Sequence, residues 1–309
     1  MKLKSLPFVH MAILLTALQF LSCKLTEKGR PSHYSAAFDW QGHRGCRGIL
    51  PENSVEAFLQ ALEYPEVTTL ELDLAVSKDK QLIVSHEPWF NPAICRLPNG
   101  DSIPRSAAER HLIYEKTVAE IRQYDCGSSG NPRFKDQKAL KTHKPTLREV
   151  VAAVRAKYPN KVIRWNIEIK SEPAYDGVKT PPIEEFVALV VQELRALNLI
   201  NTSNVQSFDI RPLQILHRTA PDIELAYLIE NADSMEKNVN KLGFTPQIYS
   251  PYYITVSTDL VDKCHQMGMK IIPWTVNDVT AMRRLIRLGV DGIITDYPNK
   301  IAEVGNRIP

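Results

Sequence analysis

Residues 69–86 read TLELDLAVSKDKQLIVSH, and this stretch decides the fold. Leu70, Leu72 and Leu74 alternate with Glu71 and Asp73. In a strand, successive side chains point to opposite faces. One face is therefore leucine, and the other carries two carboxylates. Only Ser77-Lys78-Asp79-Lys80 separates this run from the next apolar one, residues 82–85. So short a link cannot carry a parallel crossover, and the two runs are expected to form a hairpin. If its turn pairs Ser77 with Lys80, His86 stands opposite Glu71. A one-residue slip would change that partner, because the side-chain period is two.

Outward from the hairpin, short apolar runs alternate with helical patterns. Strands are predicted at 39–43, 69–74, 82–85, 162–169, 204–208, 223–229, 247–250, 270–276 and 292–295. A helix over 53–63 begins with an N-cap at Asn53 and puts Val55, Phe58, Leu59 and Leu62 on one face. Helical spacing recurs at Phe186, Val187, Val190, Leu194 and Leu197, and at Met282, Leu285, Ile286 and Leu288. The latter helix starts at an Asn or Asp cap. Strands alternating with helices give a parallel sheet. With one strand assigned to the hairpin, the rest close a (β/α)8 TIM barrel, within residues 38–305. Residues 87–146 are rich in Pro, Gly, Asn and Lys, with one helical candidate at 115–123. They form a loop-rich insertion on the active face, where long loops carry function.

The N-terminus has its own pattern. Lys2 and Lys4 precede an apolar stretch from Leu6 to Leu21, then Ser22 and Cys23. A basic start, an apolar middle and a small residue before a cleavage point describe a signal peptide, residues 1–22. Leu21-Ser22-Cys23 resembles a bacterial lipobox, in which the cysteine is lipidated. Residues 23–37 then read as a polar tether. An exported, membrane-anchored lipoprotein facing the periplasm or cell exterior is expected. Four of the five cysteines remain after Cys23. Cys95 and Cys126 share the irregular insertion, and an oxidising compartment permits a bridge between them. No Cys-x-x-Cys pair exists, which argues against a thiolate zinc site. The formal net charge of +3 gives no argument for nucleic-acid binding.

Three clusters carry chemistry. Gly42-His43-Arg44-Gly45 ends the first strand, followed by Pro51-Glu52-Asn53-Ser54. Glu71-Leu72-Asp73 lies in the next strand, with Ser85-His86-Glu87 beyond the hairpin. Asn166-Ile167-Glu168-Ile169-Lys170 ends the following main strand. In such barrels, catalytic groups gather at the C-terminal ends of the strands. Carboxylates there need cations or a metal. Glu71, Asp73 and Glu168, without a thiolate, suit a hard divalent cation, Ca²⁺ or Mg²⁺. The alternative is a structural network in which Arg44 and Lys170 neutralise Glu71 and Asp73.

These clusters, with Gln206-Ser207-Phe208, Trp274-Thr275-Val276-Asn277 and the run from Gly289 to Asp296, resemble the ordered signature of the glycerophosphodiester phosphodiesterase family. The similarity runs from about residue 40 to 298. It implies hydrolysis of glycerophosphodiesters to glycerol 3-phosphate and an alcohol. It implies one divalent cation on Glu71, Asp73 and Glu168, catalytic histidines at His43 and His86, and phosphate contacts from Arg44 and Lys170. The family usually has His-Asp where this chain has His86-Glu87, which leaves the orientation of the His86 ring open. Imidazole can act as acid or base near neutral pH, so one histidine takes a proton and the other gives one. Trp274 either lines the glycerol pocket or packs in the core. Ser207 and Phe208 are expected in the core, with shaping the site as the alternative. His111, His143, His217 and His265 are expected to be surface or structural residues. Asp291 and Asp296 are expected to cap or close the barrel. Two rival functions remain: a lysophospholipase D acting on acylated substrates, and a non-catalytic surface lipoprotein that binds phosphodiesters.

Overall fold

A computed structural model describes residues 38–305 of the chain. The signal peptide, Cys23 and the tether lie outside the described residues. In chain order the elements are β1 (Asp39–His43), α1 (Val55–Ala61), β2 (Val67–Val76), β3 (Leu82–Val84), α2 (Val118–Ile121) and α3 (Leu147–Lys157). Then come β4 (Arg164–Ile169), α4 (Ile183–Ala196), β5 (Ser203–Ser207), α5 (Ile210–Thr219), β6 (Glu224–Ile229) and α6 (Met235–Leu242). The last are β7 (Ile248–Pro251), α7 (Thr258–Gln266), β8 (Lys270–Ile271), α8 (Val279–Leu288), β9 (Gly292–Thr295) and α9 (Ile301–Val304).

The strands pair in the order β8-β7-β6-β5-β4-β2-β1-β9, all parallel, and β3 lies antiparallel on β2. Backbone bonds close the ring between the two ends. Asp291 N–H donates to the Ile271 carbonyl at 3.0 Å, Ile294 N–H to Pro273 at 3.1 Å, and Val276 N–H to Ile294 at 2.9 Å. The expected eight-stranded α/β barrel is present. The strand expected at 270–276 is regular only over Lys270–Ile271. Pro273 has no N–H to give a ladder. Even so, Trp274 N–H reaches the Pro251 carbonyl at 3.2 Å, so the irregular segment stays attached to β7.

Leu70, Leu72, Leu74, Ile167 and Ile169 face outward, buried against helices that contribute Phe58, Phe186 and Val190. The barrel interior divides in two. One half is apolar: Ala226, Ile248, Ile272 and Ile294. The other is a layer of amides. Asn166 donates to Gln41 at 2.8 Å and to Gln206 at 3.0 Å, and Asn204 donates to Asn166 at 2.6 Å. Buried polar groups must be paired, and this layer pairs its own. It forms a polar floor beneath the carboxylates.

The hairpin exists, but its register differs from expectation. Leu74 faces Val84, Ala75 faces Ile83, and Val76 faces Leu82. Ser77 pairs with Gln81, not Lys80: its N–H donates to the Gln81 carbonyl at 3.0 Å. Lys80 adopts φ of 57°, so the turn holds three residues and ends in a left-handed one. His86 is therefore not opposite Glu71. It follows the end of β3 and reaches the barrel mouth from there. The first helix is also adjusted: Ser54 is the N-cap, accepting from Ala57 N–H, while Asn53 takes φ of 56° and turns elsewhere.

The insertion is better ordered than its composition suggests. Ile83, Phe90, Ile94, Ile113, Ile121 and Tyr124 form a separate small core. Cys95 and Cys126 are bonded inside it. Thr146 caps α3 in a reciprocal capping box with Glu149.

Candidate active site

Arg44 and Gly45 turn the chain sharply after β1, with φ of 50° and 81°. A Cβ on Gly45 would lie 2.6 Å from the Ala57 carbonyl carbon, so only glycine lets the turn lie against α1. The turn aims the Arg44 N–H at Glu71 Oε2, 2.9 Å away. The Arg44 side chain, buried, donates to Glu52 Oε1 at 2.7 Å and pairs with Asp73 Oδ2 at 3.2 Å. Asn53 donates its amide to Asp73 Oδ2 at 2.9 Å. The Pro-Glu-Asn-Ser stretch thus has distinct duties: Glu52 holds Arg44, Asn53 holds Asp73, and Ser54 starts α1.

Strand register assembles the acids. Asp73 lies beside Glu168 in the β2–β4 ladder, and Glu71 lies beside Asn166. Oxygens of Glu71, Asp73 and Glu168 come within 4.8 Å of one another, and all three residues are buried. Gln206 donates to Glu71 Oε1 at 2.9 Å, and Lys170 donates to Glu168 Oε1 at 2.8 Å. Burial, then the charges of Asp73 and Glu168, push the Glu71 carboxyl well above its usual range. Burial also raises Glu168. Asp73 goes the other way: burial opposes its charge, but Arg44, His86, Lys170 and the Asn53 amide hold it well below the carboxylate range.

Two cations therefore reach the trio, as the structural alternative requires, yet they do not neutralise it. Arg44 is shared with Glu52. Asp73 Oδ1, buried, accepts no hydrogen bond among the described residues. Three buried carboxylates served by two shared cations, with Asp73 Oδ1 left without a hydrogen bond and 3.9 Å from Lys170 Nζ, fit a hard cation.

His43 ends β1 with Nδ1 at 2.6 Å from Asp296 Oδ1 and Nε2 at 3.8 Å from Glu71 Oε2. Asp296 is itself held by Arg47 Nε at 2.9 Å and by the Asn277 amide at 2.7 Å. Burial, with the charges of Arg47 and Arg44, lowers the His43 imidazole to about 4, against the opposing pull of Asp296. The ring is thus neutral at neutral pH, with its proton on the nitrogen that faces a carboxylate. Asp296 corrects the expectation above: it does not merely close the barrel but orients His43. Its position immediately after the last strand was the available signal. Asp291 does close the barrel, accepting from Ile271 N–H at 2.7 Å.

His86 Nδ1 lies 3.1 Å from Glu87 Oε1. Burial works against the charge on Glu87, but His86, Lys144 and Arg44 hold it at about 2. The longer carboxylate therefore still reaches its histidine.

Every expected site residue except Asp73 lines one cavity of about 950 Å³ at the barrel mouth. Trp274 forms part of the wall. Its indole N–H donates to the Ser250 carbonyl at 2.9 Å, and Phe208 meets it edge-on at 5.3 Å. Phe208 also lines the cavity and is not in the core, because it lies one residue past the end of β5. Ser207 is buried as expected. His111, His143, His217 and His265 do not line the cavity.

An eight-stranded α/β barrel with a buried acid trio and two carboxylate-backed imidazoles at its C-terminal mouth has the groups and the placement of an enzyme site. Residues 43–300 match the Glycerophosphoryl diester phosphodiesterase family. The chain is 30% identical over 259 residues to a glycerophosphodiester phosphodiesterase of Caldanaerobacter subterraneus subsp. tengcongensis, covering 84% of this chain and 94% of that one. A Silicibacter pomeroyi structure assigned to the glycerophosphoryl diester phosphodiesterases is 31% identical, with a TM-score of 0.78, covering 88% of this chain and 94% of that one. An Oleispira antarctica phosphodiesterase, solved with the product sn-glycerol 3-phosphate, shares the fold at a TM-score of 0.66 and 22% identity, covering 86% and 96%. The chain belongs to the glycerophosphoryl diester phosphodiesterase family.

Proposed function

We propose that this glycerophosphodiester phosphodiesterase hydrolyses its substrate to sn-glycerol 3-phosphate and an alcohol, using one divalent cation and the imidazoles of His43 and His86. The observation that carries this reading is the placement of both imidazoles on one cavity with Glu71 and Glu168, whose oxygens cluster with those of Asp73. The product bound by the Oleispira relative supports the choice of glycerol 3-phosphate.

Glu71, Asp73 and Glu168 would hold Ca²⁺ or Mg²⁺, which when bound supplies positive charge against the phosphoryl oxygens. Arg44 and Lys170 add charge from the protein side. Each histidine turns Nδ1 toward a carboxylate, which leaves Nε2 for chemistry. One ring, with Nε2 unprotonated, takes the proton of the attacking oxygen; the other must enter as the imidazolium, with a proton on Nε2 that it delivers to the leaving alkoxide. Trp274 and Phe208 would pack on the carbon skeleton of the substrate.

The test is glycerol 3-phosphate release from a panel of glycerophosphodiesters, with lysophospholipids in parallel and with each metal. Release from the deacylated substrates is expected to exceed release from the acylated ones. The reverse order would favour lysophospholipase D, and no release from either would favour a binding protein. Lipidation at Cys23 and export belong to the same proposal, on the pattern of residues 1–23. The Cys95–Cys126 bond supports them, since such bonds persist in oxidising compartments. Labelled palmitate should enter the wild-type chain and not Cys23→Ala; equal labelling would reject the anchor.

A further inference from the structure

Glu87 stands at the root of the insertion, and part of what fixes it comes from farther along that insertion. A glutamate has one more rotatable bond than the aspartate usual here in the family, and that freedom must be removed to hold a ring still. Glu87 Oε1 faces His86 Nδ1 and also accepts from the Asn91 amide, both at 3.1 Å. Asn91 is in turn fixed by its own segment. Its Oδ1 accepts from Ala93 N–H at 2.9 Å, and its carbonyl accepts from Ile94 N–H at 3.1 Å and Cys95 N–H at 2.8 Å. Cys95 is bonded to Cys126, whose N–H donates to the Thr142 carbonyl at 2.7 Å. On the other side of Asn91, Phe90 stacks on Tyr124 with ring centres 3.7 Å apart. The segment is therefore pinned on both flanks within the insertion's small core, which Ile83 of β3 joins to the barrel.

We propose that Asn91 is a positioning residue for the reaction, acting through Glu87 on the His86 imidazole, and that the Cys95–Cys126 bond fixes the segment that carries it. This rests on the role given to His86 above. The bland alternative is that Asn91 only stabilises its own turn through Oδ1. Asn91→Asp separates the two roles. It keeps an oxygen for the Ala93 N–H, but it replaces the donor to Glu87 with a second acceptor. The variant is expected to lower kcat for glycerol 3-phosphate release about tenfold or more, with KM, cation affinity and Tm little changed. Ring-nitrogen NMR of His86 is expected to show Nδ1 protonated and hydrogen-bonded in the wild type and that bond weakened in the variant. Cys126→Ala is expected to lower kcat in the same way and by less. A kcat within about twofold of wild type for Asn91→Asp overturns the inference. So does a loss of kcat that tracks a loss of Tm while the His86 ring nitrogens stay as in wild type. The NMR measurement needs no turnover. An unchanged Nδ1 signal therefore counts against Asn91, whereas a wild-type chain that releases no glycerol 3-phosphate counts against the reaction itself.

Discussion

His43→Ala and His86→Ala are each expected to lower glycerol 3-phosphate release by about 10²- to 10⁴-fold, with the barrel still folded. Two features lead to this expectation. Each ring lines the cavity and has its Nδ1 committed to a carboxylate, so Nε2 is the nitrogen left to exchange a proton with substrate. His86 is partly exposed, and His43, though buried, faces the cavity. Removing His43 leaves Asp296 buried, but Arg47 and Asn277 still hold it at 2.9 and 2.7 Å. The stability cost is then about 1–3 kcal/mol, well short of unfolding a domain of this size. Steady-state turnover and a thermal melt of each variant check the pair of claims. Near-wild-type turnover in either variant would remove that histidine from the chemistry.

The second large effect concerns the acid trio. Chelation is expected to stop turnover, and Ca²⁺ or Mg²⁺ to restore it. Glu168→Gln is expected to lower activity by more than about 10²-fold. The same substitution should leave the metal-free protein at least as stable. The glutamine oxygen still accepts from Lys170, while a buried charge beside Asp73 is removed. Burial, followed among the raising influences by the Asp73 charge, makes ionised Glu168 unfavourable in the folded chain. Removing a group that the fold holds at a disadvantage should not lower Tm. Opposite signs for activity and metal-free stability would mark the trio as a binding site. If Glu168→Gln lost both together, the trio would be a structural network with Arg44 and Lys170.

Much of this site was legible in the chain because barrel chemistry follows simple periodicities. Alternation in 69–74 put Glu71 and Asp73 on one face, and the same pattern put Glu168 and Lys170 together at the end of another strand. Parallel pairing then brought Asp73 beside Glu168. What alternation does not carry is turn geometry. Lys80 in the left-handed region lengthened the β2–β3 turn by one residue and moved the partner of every β3 side chain. Asn53 looks like a helix cap by composition, but its amide is claimed by Asp73, and the neighbouring serine takes the cap. The support of His43 was hidden for another reason. Asp296 lies 253 positions away and meets His43 only because β1 and β9 are neighbours in the closed ring. Likewise the insertion's core is built from scattered apolar residues without one period, which no window of sequence reveals.

The central claim is that both imidazoles flank one metal-bound phosphodiester. A crystal structure of the chain grown with Ca²⁺ and sn-glycerol 3-phosphate measures it most directly. The expected result is a cation among the oxygens of Glu71, Asp73 and Glu168. The phosphate should lie within hydrogen-bond reach, about 2.6–3.2 Å, of His43 Nε2 and His86 Nε2. A cation bound elsewhere, or a phosphate out of reach of either ring, would contradict it.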